Sequence, residues 1–414
     1  MHPNFLRHVK LLKNFITKRT TTQLLTSHLQ CQHSFTRCMA KDTTTASLST
    51  TTTTATKTHM GTCSSNGPFS SDTETCPSLD QLELAQVTVV FRHGARTPNS
   101  WGKEKFDDFT TLSGHTWDTS LVADLPGPCI PYKVVLEGGG CPDRPMFDDC
   151  VGVEVLGGCR TGQLTTIGKQ QLRDLGERLK AEYVVDKQFL SASYNPEEVY
   201  TRTTYFQRTS LSLVNLLTGL YGCEEGENTP VVCIETKEDG EEDLYPNLTT
   251  CTKFSQWTTQ FYAPTNIHPD VAAFESRINR AMGLRDGCER VWSSRLGDLI
   301  RCRRTHGFSI PQYLLDEEAT INNIELDTYL RWFGKGNTPI SRLCIGGFVN
   351  TLCERITDVV NNTGTHKLLL FSGHDWTVIP MLIVLGVDIA EWPPFASNII
   401  FEVYRDTKRK CYVR

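Results

Sequence analysis

Residues Val87 to Phe91 (VTVVF) form a nearly unbroken β-branched and aromatic run, and the chain then passes directly into RHGARTP, Arg92 to Pro98. A run without polar alternation fits a strand buried on both faces, as in the parallel sheets of α/β proteins. In an open sheet of that kind, ligands meet the loops that follow the carboxyl ends of the strands. Arg92 and Arg96 supply planar forks, each able to hold two oxyanion oxygens, and Gly94 is expected to let the backbone turn tightly beside a bound anion. His93 lies between them. A neutral imidazole is a competent nitrogen nucleophile near and below neutral pH, so it can attack phosphorus without a separate base.

The rest of the chain alternates helix and strand patterns. Leu164, Ile167, Leu172, Leu175, Leu179 and Tyr183 trace one face of a helix over 164–183. A short strand is predicted over Glu198 to Thr201, a helix through Leu211, Val214, Leu217 and Leu220, and a strand over Pro230 to Ile234. Lys367 to Ser372 repeats the buried-strand pattern, a helix follows through Leu385, and Asn398 to Tyr404 closes the series. Such alternation predicts an α/β fold with a mostly parallel sheet flanked by helices. Between 238 and 345 the character changes to an acidic stretch (KEDGEEDL) and helix-like segments such as Val271 to Met282. That region reads as a mainly helical insertion in a domain made of 80–237 and 346–414.

A second strand end delivers polar residues in FSGHDWT, which contains His374 and Asp375. His374 can donate to phosphoryl oxygens, and Asp375, protonated through a local rise in pKa, can give its proton to a departing alkoxide. Arg202, in EVYTRTT before a helix, is a candidate third cation. Three arginines and a histidine offset a phosphate dianion, so no metal and no other cofactor are expected.

The net charge of −5 lacks the basic excess that nucleic-acid binding needs, and no run approaches the roughly 20 apolar residues of a membrane span. The 16 cysteines are scattered from Cys31 to Cys411 without zinc-site spacing, and they read as buried thiols beside unused sequons at Asn247 and Asn361. Residues 1–41 hold seven Lys or Arg and no Asp or Glu, with Phe5, Val9, Leu12 and Ile16 on one helical stripe. This predicts a mitochondrial transit peptide; secretion or lysosomal delivery is the alternative. Residues 42–79 are Thr- and Ser-rich and read as a disordered linker.

With RHGARTP, Arg202 and His374-Asp375 in view, the chain resembles the histidine acid phosphatase family from about Leu82 onward. GGCRTGQLTTIGKQQLRDLGERL (Gly157 to Leu179), FLSASYNPEEVYTRTT (Phe189 to Thr204), LYPN (Leu244 to Asn247), HDWTVIPMLIVLG and WPPFA carry the likeness, which is weak over 252–345. The resemblance implies a Rossmann-like domain with a helical cap, phosphorylation of His93, and Asp375 as general acid. It also implies a phosphate pocket of Arg92, Arg96, Arg202 and His374, with Gly162 and Gln163 of the GQLT loop lining the substrate cleft. The pattern of relatives continues past the position of Arg414. Within the family the longer strings resemble a mitochondrial subgroup that hydrolyses lysophosphatidic acid to monoacylglycerol. A small-molecule phosphomonoester, here a lysophospholipid, is the expected partner of a monomeric enzyme. The alternatives are a broad-specificity or sugar-phosphate phosphatase, a phosphomutase, or an inactive phospholipid-binding relative. Loss of His93 or Asp375 would mark the last of these, and both are present.

Overall fold

The computed structural model describes residues 78–99, 116–142, 154–222, 230–263, 266, 268–281 and 293–414. The basic leader and nearly all of the linker lie outside the described residues.

In chain order the strands are β1 (Glu83–Arg92), β2 (Tyr132–Leu136), β3 (Val199–Thr203), β4 (Val232–Thr236), β5 (Leu368–Gly373), β6 (Asn398–Arg405) and β7 (Cys411–Val413). They join in one sheet in the order β2-β4-β3-β5-β1-β6-β7. The first four pairings across that order are parallel and the last two antiparallel. The helices are α1 (Thr166–Leu179), α2 (Gln207–Tyr221), α3 (Thr252–Phe261), α4 (Pro269–Ala281), α5 (Ser293–Thr305), α6 (Gln312–Leu315), α7 (Glu318–Trp332), α8 (Thr338–Asn361) and α9 (Asp375–Leu385). β2 and β7 were not apparent in the sequence. Both lie at sheet edges, and β2 is half open to solvent, so its apolar run is too short and too mixed to stand out.

Burial on both faces explains the unbroken runs. Val87, Val89 and Phe91 of β1, with Leu368 and Leu370 of β5, pack against Leu172, Leu175 and Leu179 of α1 and Leu213, Leu216 and Leu217 of α2. The alternate residues Val90, Leu369 and Phe371 face Phe348, Val349 and Leu352 of α8 and Ile379 of α9. α1 and α2 approach closely because Gly176 and Gly219 lack side chains: a Cβ on either would stand 2.0–2.1 Å from a backbone oxygen of the other helix. The described residues between β4 and β5 are mainly helical, and α4 to α7 build a core of their own from Phe274, Ile278, Leu296, Leu299, Ile300, Leu314 and Ile321. α8 runs through the expected boundary at residue 345 and belongs to the packing of the sheet.

Register fixes what happens at the strand ends. Arg92 of β1 sits opposite Gly373 of β5, and Thr203 of β3 opposite Ser372. The residues next in sequence, His93 and His374, therefore emerge side by side from neighbouring parallel strands. β3 leads within a few residues to the N-terminus of α2 at the same edge.

Candidate active site

His93 and His374 meet edge to face, with ring centroids 5.5 Å apart. His93 Nδ1 lies 2.8 Å from the Gly94 carbonyl oxygen. A carbonyl only accepts, so Nδ1 carries the proton and Nε2 keeps its lone pair. Burial, followed by Arg208, Arg96 and Arg92, holds the His93 imidazole well below the usual histidine range. The ring is thus neutral, and the nitrogen that keeps its lone pair is defined. His374 is held down in the same way, and its Nε2 is fixed by Thr204 Oγ1 at 2.9 Å.

Gly94 serves a different end from the tight turn expected of it. Its φ is not in the left-handed region; instead, a Cβ there would stand 2.2 Å from the Gly168 carbonyl oxygen. The residue brings the loop after β1 against the first turn of α1; there the Ala95 N–H donates to Gln171 Oε1 of α1 at 2.8 Å, and the Gly94 N–H donates to Ser212 Oγ of α2 at 3.1 Å.

Three guanidiniums bear on His93. Arg92 donates to the Pro393 carbonyl oxygen and stands 2.9 Å from Asp375 Oδ2. Arg96 is gripped end-on by Asp298 of α5, with Nη2 to Oδ1 at 2.8 Å and Nη1 to Oδ2 at 3.2 Å. The third is Arg208, the second residue of α2, and it was missed in the sequence. Arg92, Arg96 and Arg208 each keep a buried Nε with no hydrogen-bond acceptor. Unsatisfied charged donors around one imidazole are costly unless an anion completes them.

Arg202 does not join this group. Its Nη2 donates to Glu242 Oε1 at 2.9 Å and to Asp243 Oδ1, and its partners make it a buried ion-pair residue of β3. Six residues further along, Arg208 stands near both histidines, where Arg202 was expected. The overlooked signal was its position: a cation in the first turn of a helix opposes the helix dipole, which makes sense where an anion is to bind.

Gly162 lies beside the cluster at φ +70°, where a Cβ would stand 2.7 Å from Asn99 Oδ1 and 3.4 Å from Arg208 Nη1. Gln163 acts on the loop scaffold: its Oε1 accepts from the Arg160 N–H at 2.6 Å and its backbone pairs with Thr97.

Asp375 opens α9. Trp392 Nε1 donates to Oδ2 at 3.1 Å and the Trp376 N–H to Oδ1 at 3.0 Å. Burial would raise this carboxyl, but Arg92, Arg96 and Arg301 outweigh it and the Trp392 donor adds to them, so it is held below the usual carboxylate range. This reverses the expected rise. Before substrate arrives Asp375 is an ion-paired carboxylate. Among the described residues no group of three or more His, Cys, Asp or Glu side chains is arranged to hold a metal ion.

The sequence pattern of the histidine phosphatase superfamily (branch 2) matches residues 83–414. The chain belongs to this family. Human lysophosphatidic acid phosphatase type 6 is 31% identical over 341 residues, covering 81% of this chain and 77% of the human protein. The lysosomal acid phosphatase of Xenopus laevis is 32% identical over 260 residues, 59% of each chain. Among solved structures, apo Hafnia alvei phytase is similar over 82% of this chain and 84% of its own, with TM-score 0.49 and 13% identity. As a histidine acid phosphatase the protein is a phosphomonoester hydrolase.

Proposed function

We propose that His93 Nε2 attacks the phosphorus of a phosphomonoester while Arg92, Arg96, Arg208 and His374 hold the non-bridging oxygens. The P–O ester bond breaks, and Asp375 gives its proton to the leaving oxygen. Water then attacks the phosphohistidine, Asp375 takes a proton from it, and inorganic phosphate leaves as the N–P bond breaks. The observation that carries this reading is the unprotonated, uncharged Nε2 of a His93 ring beside Arg92, Arg96 and Arg208, whose Nε donors lack acceptors. Entry of a phosphate also draws in the proton from solvent. Its negative charge opposes the pull of the arginines on Asp375, so the carboxyl picks up a proton as substrate binds, most readily in acid.

The favoured substrate is lysophosphatidic acid. Half-buried rings stand next to Asp375: Trp376 and Trp392, each with Tyr329 packed against it. Rings of this kind suit a leaving group that carries an acyl chain, and the human relative bears a name with that substrate. A second reading, a broad acid phosphatase, is favoured by the likeness to lysosomal acid phosphatase. Mitochondrial delivery is proposed from the acid-free basic composition of residues 1–41 alone.

Phosphate release from lysophosphatidic acid and from a sugar phosphate, measured on the same full-length protein, separates the two substrates. A higher kcat/KM on the lipid supports the first reading, and equal values support the second. His93→Ala abolishes release from both while the protein keeps its melting temperature. Persistent turnover in that variant overturns the nucleophile.

A further inference from the structure

Asp375 is faced from every side by charged or polar groups: Arg92 at the end of β1, Arg96 in the following loop, Arg208 on α2, Arg301 on α5, Glu325 and Tyr329 on α7, and Trp392 before β6. Arg301, like Arg96, is held end-on by a carboxylate. Both of its Nη atoms are already taken by Glu325, at 2.7 Å each. Glu325 is 2% exposed, and it fits against α5 because position 297 is glycine: a Cβ there would stand 1.9 Å from Glu325 Oε2. The slot for this carboxylate is built into two helices.

A buried ion pair contributes little net stability, because desolvation of both charges offsets their attraction, and an apolar pair would fill the same space. What distinguishes this one is where it points. The Arg301 guanidinium carbon lies 4.6 Å from the centroid of the Trp392 ring, and Trp392 Nε1 donates to Asp375 Oδ2 at 3.1 Å. Glu325, Arg301, Trp392 and Asp375 thus form one continuous chain of contacts from the inserted helices to the sheet edge. Arg301 and Asp298 are three residues apart on one face of α5, so the helix that orients Trp392 also grips Arg96.

We propose that the Glu325–Arg301 pair is a positioning device for the proton donor: Glu325 orients Arg301, Arg301 seats the Trp392 ring whose N–H aims Asp375, and the pair tempers the positive charge that the carboxyl meets. The proposal rests on Asp375 being that donor. Its consequences have opposite signs in two variants. Glu325→Gln leaves Arg301 unopposed, which favours the ionised Asp375 and moves the alkaline limb of kcat/KM to lower pH. The double variant Arg301→Gln/Glu325→Gln removes the nearer positive charge as well, which favours the protonated form and moves the limb to higher pH. Each displacement is on the order of half to one pH unit for a charge at this range in a partly screened site. The double variant leaves no buried charge unpaired, so folding is preserved.

The test measures kcat/KM against pH for wild type, Glu325→Gln, the double variant and Trp392→Phe, using full-length protein, with nitrophenyl phosphate and glycerol phosphate as probes. Substrate ionisation is common to all four and cancels in the comparison. The expected result is limbs displaced in opposite directions, and a loss for Trp392→Phe that is at least several-fold larger on glycerol phosphate, whose alkoxide needs the proton. Asp375→Asn is the control. If it slows both probes equally, the donor assignment itself fails. If it spares nitrophenyl phosphate but the limbs of the two Glu325 variants coincide with wild type, the donor stands and the positioning role is overturned.

Discussion

Replacing Arg208 with Ala tests the third guanidinium directly. Its Nε is buried without an acceptor and its guanidinium bears on both His93 and His374. A bound phosphoryl group offers it two charge-assisted hydrogen bonds, each worth roughly 1.5–3 kcal/mol. Discounted for the solvent that reaches a half-buried side chain, about 3–4 kcal/mol of transition-state stabilisation is at stake, or about 10²–10³-fold in kcat/KM. Stability moves the other way. Burial and then Arg96 pull the Arg208 guanidinium down to about 9. A base whose pKa is lower folded than unfolded weighs against the folded state at every pH below the unfolded value, so its removal leaves the melting temperature unchanged or higher. Arg202→Ala has the reverse profile. It strands Glu242, which is 2% exposed, at a cost of about 3–5 kcal/mol, while protein that remains folded turns over normally. Phosphate-release kinetics and thermal denaturation, with and without inorganic phosphate, read both quantities. Near-wild-type kcat/KM in Arg208→Ala would refute the reasoning, as would lost turnover in an Arg202→Ala protein that melts like wild type.

Gly94→Ala places a methyl group 2.2 Å from the Gly168 carbonyl oxygen, where backbone stands on both sides; a loss of about 3 kcal/mol is expected by denaturant titration, together with loss of turnover as His93 shifts. Because His93 and His374 are both held well below the usual histidine range, acidification to about pH 5 should not protonate the nucleophile, and a fall in single-turnover rate centred near pH 6.5 would contradict this. The same depression has a sign for stability: it is fully present above the unfolded histidine value of about 6.5 and lost as pH falls below it, which denaturation midpoints across that window can follow. Chelator should leave phosphate release unchanged, since guanidiniums supply the charge that a metal would otherwise provide.

The sheet was legible wherever a strand is buried on both faces, as at Val87–Phe91 and Leu368–Phe371, because no polar alternation interrupts such runs. His93 and His374 were legible for the same reason, each following the end of such a strand. What escaped notice depends on contacts distant in sequence. Asp298 and Arg301 lie on a helix whose apolar residues, Leu296, Leu299 and Ile300, serve a separate small core, so nothing local marks their opposite face as belonging to the site. Arg202 and Arg208 are six residues apart at the same edge, and only the acids opposite Arg202 decide which of the two is free to meet phosphate. The direction of the Asp375 shift escaped for a related cause: burial and positive charge act against each other there, and only the positions of Arg92, Arg96 and Arg301 settle which prevails.

Charge balance connects these particulars to acid chemistry. Around the phosphate position stand Arg92, Arg96, Arg208 and Arg301 against Asp298, Glu325 and Asp375, with both histidines neutral, which leaves one positive charge in excess. A phosphate dianion therefore turns the site net negative, whereas a dianion with one added proton brings it to neutrality. Low-dielectric surroundings penalise the net charge in either direction, so binding and proton uptake are coupled. The proton is drawn to Asp375, which faces the leaving oxygen in the proposed reaction and whose pairing with Arg92 weakens once that guanidinium has phosphoryl oxygens to meet. An enzyme arranged in this way needs no permanently protonated acid: the substrate's own charge recruits the proton that its departure requires.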